Sequence, residues 1–176
     1  MTFYHQFWGL AVLGLVLLTA CDRSPTPIQA AKLNSRFTED QPAISGDGRI
    51  VAFMTNRHGA AELAVYDLER EQFWDVSVIN AGNNLIATPS LSRTGRYIVY
   101  VVSDRGGPAI ALYDQAVEQV EILSRQYRGW VRNPQISPDG RYITFETARR
   151  GQWDIEILDR GPNVELDLAD GTVIEP

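Results

Sequence analysis

The stretch PQISPDGRYITFETARRGQWDIEILD, residues 134–159, is one of three copies of a 26-residue unit. The other copies are PAISGDGRIVAFMTNRHGAAELAVYD, residues 42–67, and PSLSRTGRYIVYVVSDRGGPAIALYD, residues 89–114. They align without a gap, and a fixed period with such self-similarity indicates a repeat architecture. The positions identical in all three copies are Pro42/Pro89/Pro134, Ser45/Ser92/Ser137, Gly48/Gly95/Gly140, Arg49/Arg96/Arg141, Gly59/Gly106/Gly151 and Asp67/Asp114/Asp159.

Each copy has the alternation of apolar residues that is typical of a β-hairpin. In the first copy Val51 and Phe53 are two apart, as are Leu63 and Val65, so one face of each strand is predicted to be buried. Ser137-Pro138-Asp139-Gly140 is a turn sequence, because proline presets φ and glycine suits the last position. Short strands are also predicted at residues 43–44, 90–91 and 135–136, and at 73–78, 117–123 and 164–168.

About four strands in each unit of this length make the blade of a β-propeller. We therefore predict an all-β fold of three tandem four-stranded blades, at about residues 37–80, 81–125 and 126–170. A short C-terminal tail completes the body, which spans residues 37–176.

The pattern P-x-x-S-x-D-G-R, an apolar strand, an R-x-G loop and a strand ending in Asp resembles the WD-repeat-like repeat of the TolB family of periplasmic propellers. The resemblance runs from Phe37 to about Leu168, and the third copy is closest to the pattern. Closed propellers have about 4–8 blades, so three blades cannot close a ring. The resemblance thus implies either a homodimer that forms a six-bladed ring or an open arc whose edges capture a partner.

The first residues have the features of a bacterial lipoprotein signal. Trp8 to Leu18 is an uncharged apolar run, too short to span a bilayer, and Leu18-Thr19-Ala20-Cys21 after it resembles a lipobox. We predict a signal peptide at 1–20, lipidation of Cys21, a flexible spacer to residue 36, and an envelope location facing the periplasm. The alternative is that the run is a buried apolar strand or helix that ends in cysteine. The segment before the run has no Lys or Arg, which departs from the usual pattern of signal peptides.

Carboxylates are plentiful after Cys21, but no recognisable set of catalytic residues is present there. His58 is the one histidine there, and no G-x-S-x-G motif is present. The repeated Asp67, Asp114 and Asp159 are expected to form local turns, with three equivalent calcium contacts as the alternative. We therefore predict a non-enzyme with no metal and no cofactor, and the net charge of −6 disfavours nucleic-acid binding.

The candidate binding residues lie between the copies, because a residue that does not recur serves something other than the blade. These segments are NAGNNLIAT, residues 80–88, and SRQYRGWVRN, residues 124–133. Aromatic and guanidinium groups are enriched in binding hot spots. We predict a partner-binding surface of Asn83, Asn84, Tyr127, Arg128, Trp130, Arg132 and Asn133, the alternative being that Trp130 packs between blades.

These features together predict a lipid-anchored envelope protein that uses propeller blades as a protein-interaction scaffold. Two alternatives remain at this stage. The blades could be the accessory domain of a peptidase-like or lyase-like enzyme, or they could bind a small ligand or glycan.

Overall fold

The computed structural model describes residue 33 and residues 35–81, 86–127 and 129–168, which form one antiparallel sheet for each copy of the repeat. The predicted signal peptide, Cys21 and the residues from 169 onward lie outside these ranges. The elements are β1 Glu39–Ile44, β2 Ile50–Thr55, β3 Glu62–Asp67, β4 Gln72–Phe73, α1 Ser77–Asn80, β5 Ile86–Leu91, β6 Tyr97–Asp104, β7 Gly107–Asp114, β8 Gln119–Ile122, β9 Val131–Ile136, β10 Tyr142–Thr147 and β11 Asp154–Asp159.

The repeated serine holds the turn between the first two strands of each sheet. In the first sheet the Ser45 hydroxyl accepts a hydrogen bond from the Ile50 N–H at 2.9 Å, and Gly48 adopts a φ of 75°. Ser92 and Ser137 accept from Tyr97 and Tyr142 in the same way. The turn predicted at Ser137-Pro138-Asp139-Gly140 is confirmed, and the equivalent serines hold the same turn in the other two copies.

The repeated aspartate and arginine form a pair inside each blade. The distances from the guanidinium to the carboxylate are 3.3 Å for Arg49–Asp67, 3.2 Å for Arg96–Asp114 and 2.9 Å for Arg141–Asp159. Each of these carboxylates also accepts the backbone N–H two residues on, at Glu69, Ala116 and Gly161. The periodic aspartates therefore form local turns, as predicted.

The core lies between the sheets, because the two faces of each strand serve different neighbours. We call the face toward the following sheet the front face and the opposite one the rear face. The front face of the first sheet, which includes Leu63 and Val65, packs on the rear face of the second, which includes Ile98 and Tyr100. The front face of the second sheet packs on the rear face of the third in the same register. Burying one such side chain stabilises the fold by about 1.5–3 kcal/mol.

The fourth strand of the first sheet is shorter than predicted. β4 has two residues, and the rest of the predicted strand at 73–78 leads into α1. Val76 and Ile79 are three apart, and both are buried between the first and second sheets, which requires a helical turn rather than a strand. Asn80 replaces the missing strand, because its side-chain amide donates to the Leu63 carbonyl and accepts from the Leu63 N–H, both at 2.9 Å.

The strand predicted at residues 164–168 is wrong, and the third sheet has three strands in the order β11-β10-β9. The segment lies instead against the turn of the second sheet, where Asp167 is 4% exposed. Asp167 accepts hydrogen bonds from the Ser92 hydroxyl at 2.6 Å and from the N–H and hydroxyl of Thr94 at 2.8 and 2.7 Å. The first and third turns use their own Asp47 and Asp139 for this purpose. Asp167 thus supplies the carboxylate that the second copy lacks.

Candidate functional site

The segment before β9 brings a tryptophan to the surface. Gly129 adopts a φ of 120°, and a Cβ there would lie 3.0 Å from the Cα of Arg149, so only glycine allows the segment to approach the hairpin loop at 148–153. The Trp130 carbonyl accepts from the Ala148 N–H at 2.9 Å, which fixes its backbone. The Trp130 residue is nonetheless 67% exposed. The alternative, that Trp130 packs between blades, is therefore wrong.

Arg132 and Asn133 meet on one carboxylate. Arg132 Nε lies 2.7 Å from Glu146 Oε2, and Asn133 Nδ2 donates to Glu146 Oε1 at 2.9 Å. The bonds from Asn133 and Arg132 lower the pKa of Glu146, so the carboxylate is ionised at neutral pH. The guanidinium carbon of Arg132 also lies 3.8 Å from the ring centroid of Trp153. We call Trp130, Arg132, Asn133, Glu146 and Trp153 the tryptophan–arginine cluster.

Trp153 was not among the residues predicted from the sequence. The equivalent residues of the first two copies are Ala61 and Pro108, so Trp153 does not recur. The criterion that selected Trp130 would therefore also have found it, had it been applied within the copies as well as between them.

Tyr127 has a packing role in this arrangement. Its ring meets Phe145 edge-on, with centroids 5.1 Å apart and an interplanar angle of 86°, and it adds to the core between the second and third sheets. Arg149 covers its other side at 5.7 Å. Asn83, Asn84 and Arg128, the remaining predicted partner-binding residues, lie outside the described residues, as does Cys21.

A groove of about 920 Å³ lies at the turn end of the first and second sheets. Three of the four arginines that line it face carboxylates of the same chain. Arg49 pairs with the buried Asp67, and Arg96 bonds to Glu165 at 2.8 Å and to Asp114 at 3.2 Å. The bond to Glu165, with that to Asp114, raises the pKa of Arg96. The groove therefore has little unbalanced positive charge with which to attract an anionic ligand. Its four arginines are Arg49, Arg70, Arg93 and Arg96.

Neither a metal-ligand cluster nor a helix able to span a membrane is present in the described ranges. No group of three or more His, Cys, Asp or Glu side chains there could hold a metal ion. None of the helices in the same ranges is long and apolar enough to cross a membrane. His58 is exposed and pairs with Glu62 of the same hairpin.

Comparison with solved structures identifies the type of fold. TolB from Acinetobacter baumannii is 22% identical with a TM-score of 0.63, over 76% of this chain and 32% of that protein. A putative TolB from Agrobacterium tumefaciens is 20% identical with a TM-score of 0.54, over 69% of this chain and 43% of that one. The β-propeller domain of the trilobed protease from Pyrococcus furiosus is 14% identical with a TM-score of 0.51, over 70% and 39%. The chain thus spans less than half of each structure, and at these identities the likeness shows the fold alone.

Comparison at the level of sequence identifies the family. No curated protein matches the chain significantly. A family model described as the lipoprotein LpqB β-propeller domain matches residues 16–144, which is more than half of the chain. The prediction of TolB-like propeller repeats is confirmed by this match together with the solved structures. The three sheets are TolB-like propeller blades, and the chain belongs to the family of the lipoprotein LpqB β-propeller domain.

Proposed function

We propose that the protein is a lipid-anchored scaffold of the cell envelope that binds another protein through the tryptophan–arginine cluster. The observation that carries the proposal is the 67% exposure of Trp130, two residues before an arginine that is fixed between Glu146 and Trp153. Large exposed aromatic residues with a neighbouring arginine are the composition of binding hot spots.

The cluster is ordered before any partner arrives. The Arg132 side chain is held by the Glu146 carboxylate and the Trp153 ring, and the backbone of Trp130 is held by its bond to the hairpin loop. Side chains that are already fixed lose little conformational entropy on binding, which improves affinity for a given contact area. The charge of Arg132 is balanced by Glu146, so the aromatic rings are expected to supply most of the binding affinity. The ion pair is expected to set the orientation of the bound partner.

The anchor is the second part of the proposal. The family is named for a lipoprotein, and the sequence carries a lipobox-like segment that ends at Cys21. A lipid on Cys21 followed by the spacer to residue 36 would hold the blades close to the membrane surface on its periplasmic side. Two acyl chains suffice for stable attachment.

Lipidation is tested by labelling cells with an alkyne fatty acid and fractionating their membranes. The wild-type chain is expected to carry label and to stay with the membrane, whereas Cys21→Ala should lose the label. The control Asp22→Ser should keep both properties. A labelled Cys21→Ala variant, or an unlabelled wild type, would contradict the anchor.

Binding is tested with the tagged full chain, solubilised in mild detergent and purified from cells that make it. The amount of copurified partner protein should fall at least tenfold when the tagged chain carries the double substitution Trp130→Ala/Arg132→Ala. The control Val117→Ala/Arg125→Ala changes exposed residues in turns of the second blade and should leave the amount of bound partner unchanged. Circular dichroism should match the wild type for both variants. A partner that does not respond to the double variant, or none above an untagged control, refutes the scaffold function.

The proposal assigns no reaction to this chain. A panel of peptidase and esterase substrates, with and without a chelator, tests that assignment. Turnover that copurifies with the wild-type chain would contradict it.

A further inference from the structure

The front face of the third sheet keeps apolar residues although it is exposed. Ile155 and Ile157 are 68% and 66% exposed, and Tyr142 near the far end of the face is also exposed. The equivalent residues of the first two sheets are buried against the following sheet. These equivalents are Leu63 and Ile110 for Ile155, Val65 and Leu112 for Ile157, and Ile50 and Tyr97 for Tyr142.

The rear face of the first sheet shows the complementary pattern. Ile44 is 58% exposed, whereas its equivalents Leu91 and Ile136 are buried against the preceding sheet. Phe73 is exposed at the outer side of this face. Phe53, the equivalent of Tyr100 in the second sheet, is already buried within the chain, where Phe73 and Arg57 contact its ring.

Faces that stay in water at the ends of repeat arrays are normally polar, because solubility requires it. Here the front face of the third sheet is polar only in part, with Thr144 and Glu146 where the other copies have Ala, Val or Met. Large contiguous apolar patches on protein surfaces mark sites of interaction. Both faces are therefore expected to be covered in the functional protein.

We propose that the front face of the third sheet docks on the rear face of the first sheet of a second copy of this chain. Two interfaces of this kind already exist inside the chain, formed by equivalent positions of the repeat, and the docked copies would continue this series. A second copy supplies both missing halves, because each copy carries a front face exposed at Ile155 and Ile157 and a rear face exposed at Ile44 and Phe73. Two copies joined head to tail would form two identical interfaces and a ring of six sheets, which is within the range of about 4–8 blades in closed propellers.

The inference goes beyond the proposed function and does not depend on it. Tyr142 and Ile157 lie toward the turn end of the third sheet, whereas Trp130 lies at its hairpin-loop end. Glu146 of the tryptophan–arginine cluster lies on the same front face, opposite Ile155, so a docked second copy would cover this part of the cluster and leave Trp130 at the edge of the interface. If the chain does not self-associate but another protein still binds it in a Trp130-dependent way, this inference alone is refuted. Intact self-association without such a partner would refute the proposed function alone.

The test uses two differently tagged full-length chains, coexpressed and purified on one tag in mild detergent. The wild-type pair should copurify. Ile157→Glu in both chains should reduce copurification at least tenfold, because it places a charge inside the interface, and Ile44→Glu in both chains should do the same. Both residues are exposed within one chain, so each variant should keep the circular dichroism spectrum of the wild type.

The decisive sample pairs one Ile157→Glu chain with one Ile44→Glu chain. A head-to-tail dimer keeps one of its two interfaces unmodified in this mixture, so copurification should recover to at least a third of the wild-type level. The control Val117→Glu changes a comparably exposed residue of the second sheet and should have no effect. Absence of wild-type copurification overturns the proposal. An Ile44→Glu pair that behaves as wild type, or a mixture that does not recover, overturns it equally.

Discussion

Replacing Asp167 should destabilise the protein far more than its place near the end of the described chain suggests. The carboxylate receives three hydrogen bonds, and the Ser92 hydroxyl that donates one of them is completely buried. A hydrogen bond to a charged group contributes about 1.5–3 kcal/mol, and water can replace part of that at Thr94 once the segment leaves. We therefore expect Asp167→Ala to lower the free energy of unfolding by about 2–4 kcal/mol.

Thr94→Asp restores the turn pattern of the other two copies and provides the test of this mechanism. If Asp167 replaces the missing turn carboxylate, Thr94→Asp should recover at least ~1.5 kcal/mol in the Asp167→Ala background, well outside the error of additivity. In the wild type the same substitution sets two carboxylates side by side and should destabilise the fold.

Urea unfolding of the detergent-solubilised chain, followed by tryptophan fluorescence, measures all four members of this cycle. Glu165→Gln is the matched control in the same segment, because Glu165 is exposed, and it should leave the unfolding midpoint almost unchanged. If the changes in the free energy of unfolding caused by Asp167→Ala and Thr94→Asp add within about 0.5 kcal/mol in the double variant, the role given to Asp167 is refuted.

Three further predictions concern the turns and the sheet edge. Gly48→Ala should lower the free energy of unfolding by about 1–2 kcal/mol, because alanine is strained at its positive φ. Gly140→Ala should lower it by at least ~1 kcal/mol more, because the added Cβ would lie 2.4 Å from the ring of Tyr97. Equal losses of stability in urea would contradict that contact. The arginine partner of Asp159 lowers the pKa of this carboxyl to about 2, so its stabilisation is complete above the unfolded pKa of about 3.9 and is lost as pH falls toward 2. The stability difference between the wild type and Asp159→Asn should therefore shrink between pH 5 and pH 2, and a constant difference would refute the pairing. Asn80→Ala should speed hydrogen exchange at the Leu63 amide at least tenfold, and unchanged protection would show that the side chain does not replace a strand.

The inner strands of each sheet could be located from the sequence because their apolar residues are local and repeated. The prediction that one face of each strand is buried is wrong for β6, whose residues 97–102 are buried on both faces. Val51 and Phe53 alternate with residues that pack on the next sheet, and the same alternation recurs in every copy. The outer segments follow no such rule. Val76 and Ile79 are buried by a helical turn, and period 2 alone does not distinguish that outcome from a short strand.

The position of residues 164–168 depends on a contact across the chain. The sequence does show that the second copy has Thr94 where the other copies have aspartate. The neighbouring residues do not indicate that Asp167 takes the place of that aspartate. A hydrogen bond between residues so far apart in sequence follows from the arrangement of the blades, which has to be known first.

The candidate site was predictable in part. Trp130 and Arg132 were identified because they fall between the copies, and the structure shows one exposed and the other fixed beside it. The role of Tyr127 was less visible, because an aromatic residue in an interblade segment can face either water or the core. Its contact with Phe145 depends on how the second and third sheets meet.

The most direct measurement of the scaffold function is photo-cross-linking in cells from position 130. Trp130 is replaced by p-benzoylphenylalanine in the full chain, and the same amino acid is placed at Val117 as the control. We expect a discrete protein adduct from position 130. The adduct should be at least tenfold weaker from position 117 and should be lost when Arg132→Ala is added. The same adducts from both positions, or none from position 130, would contradict the claim that the tryptophan–arginine cluster binds a partner.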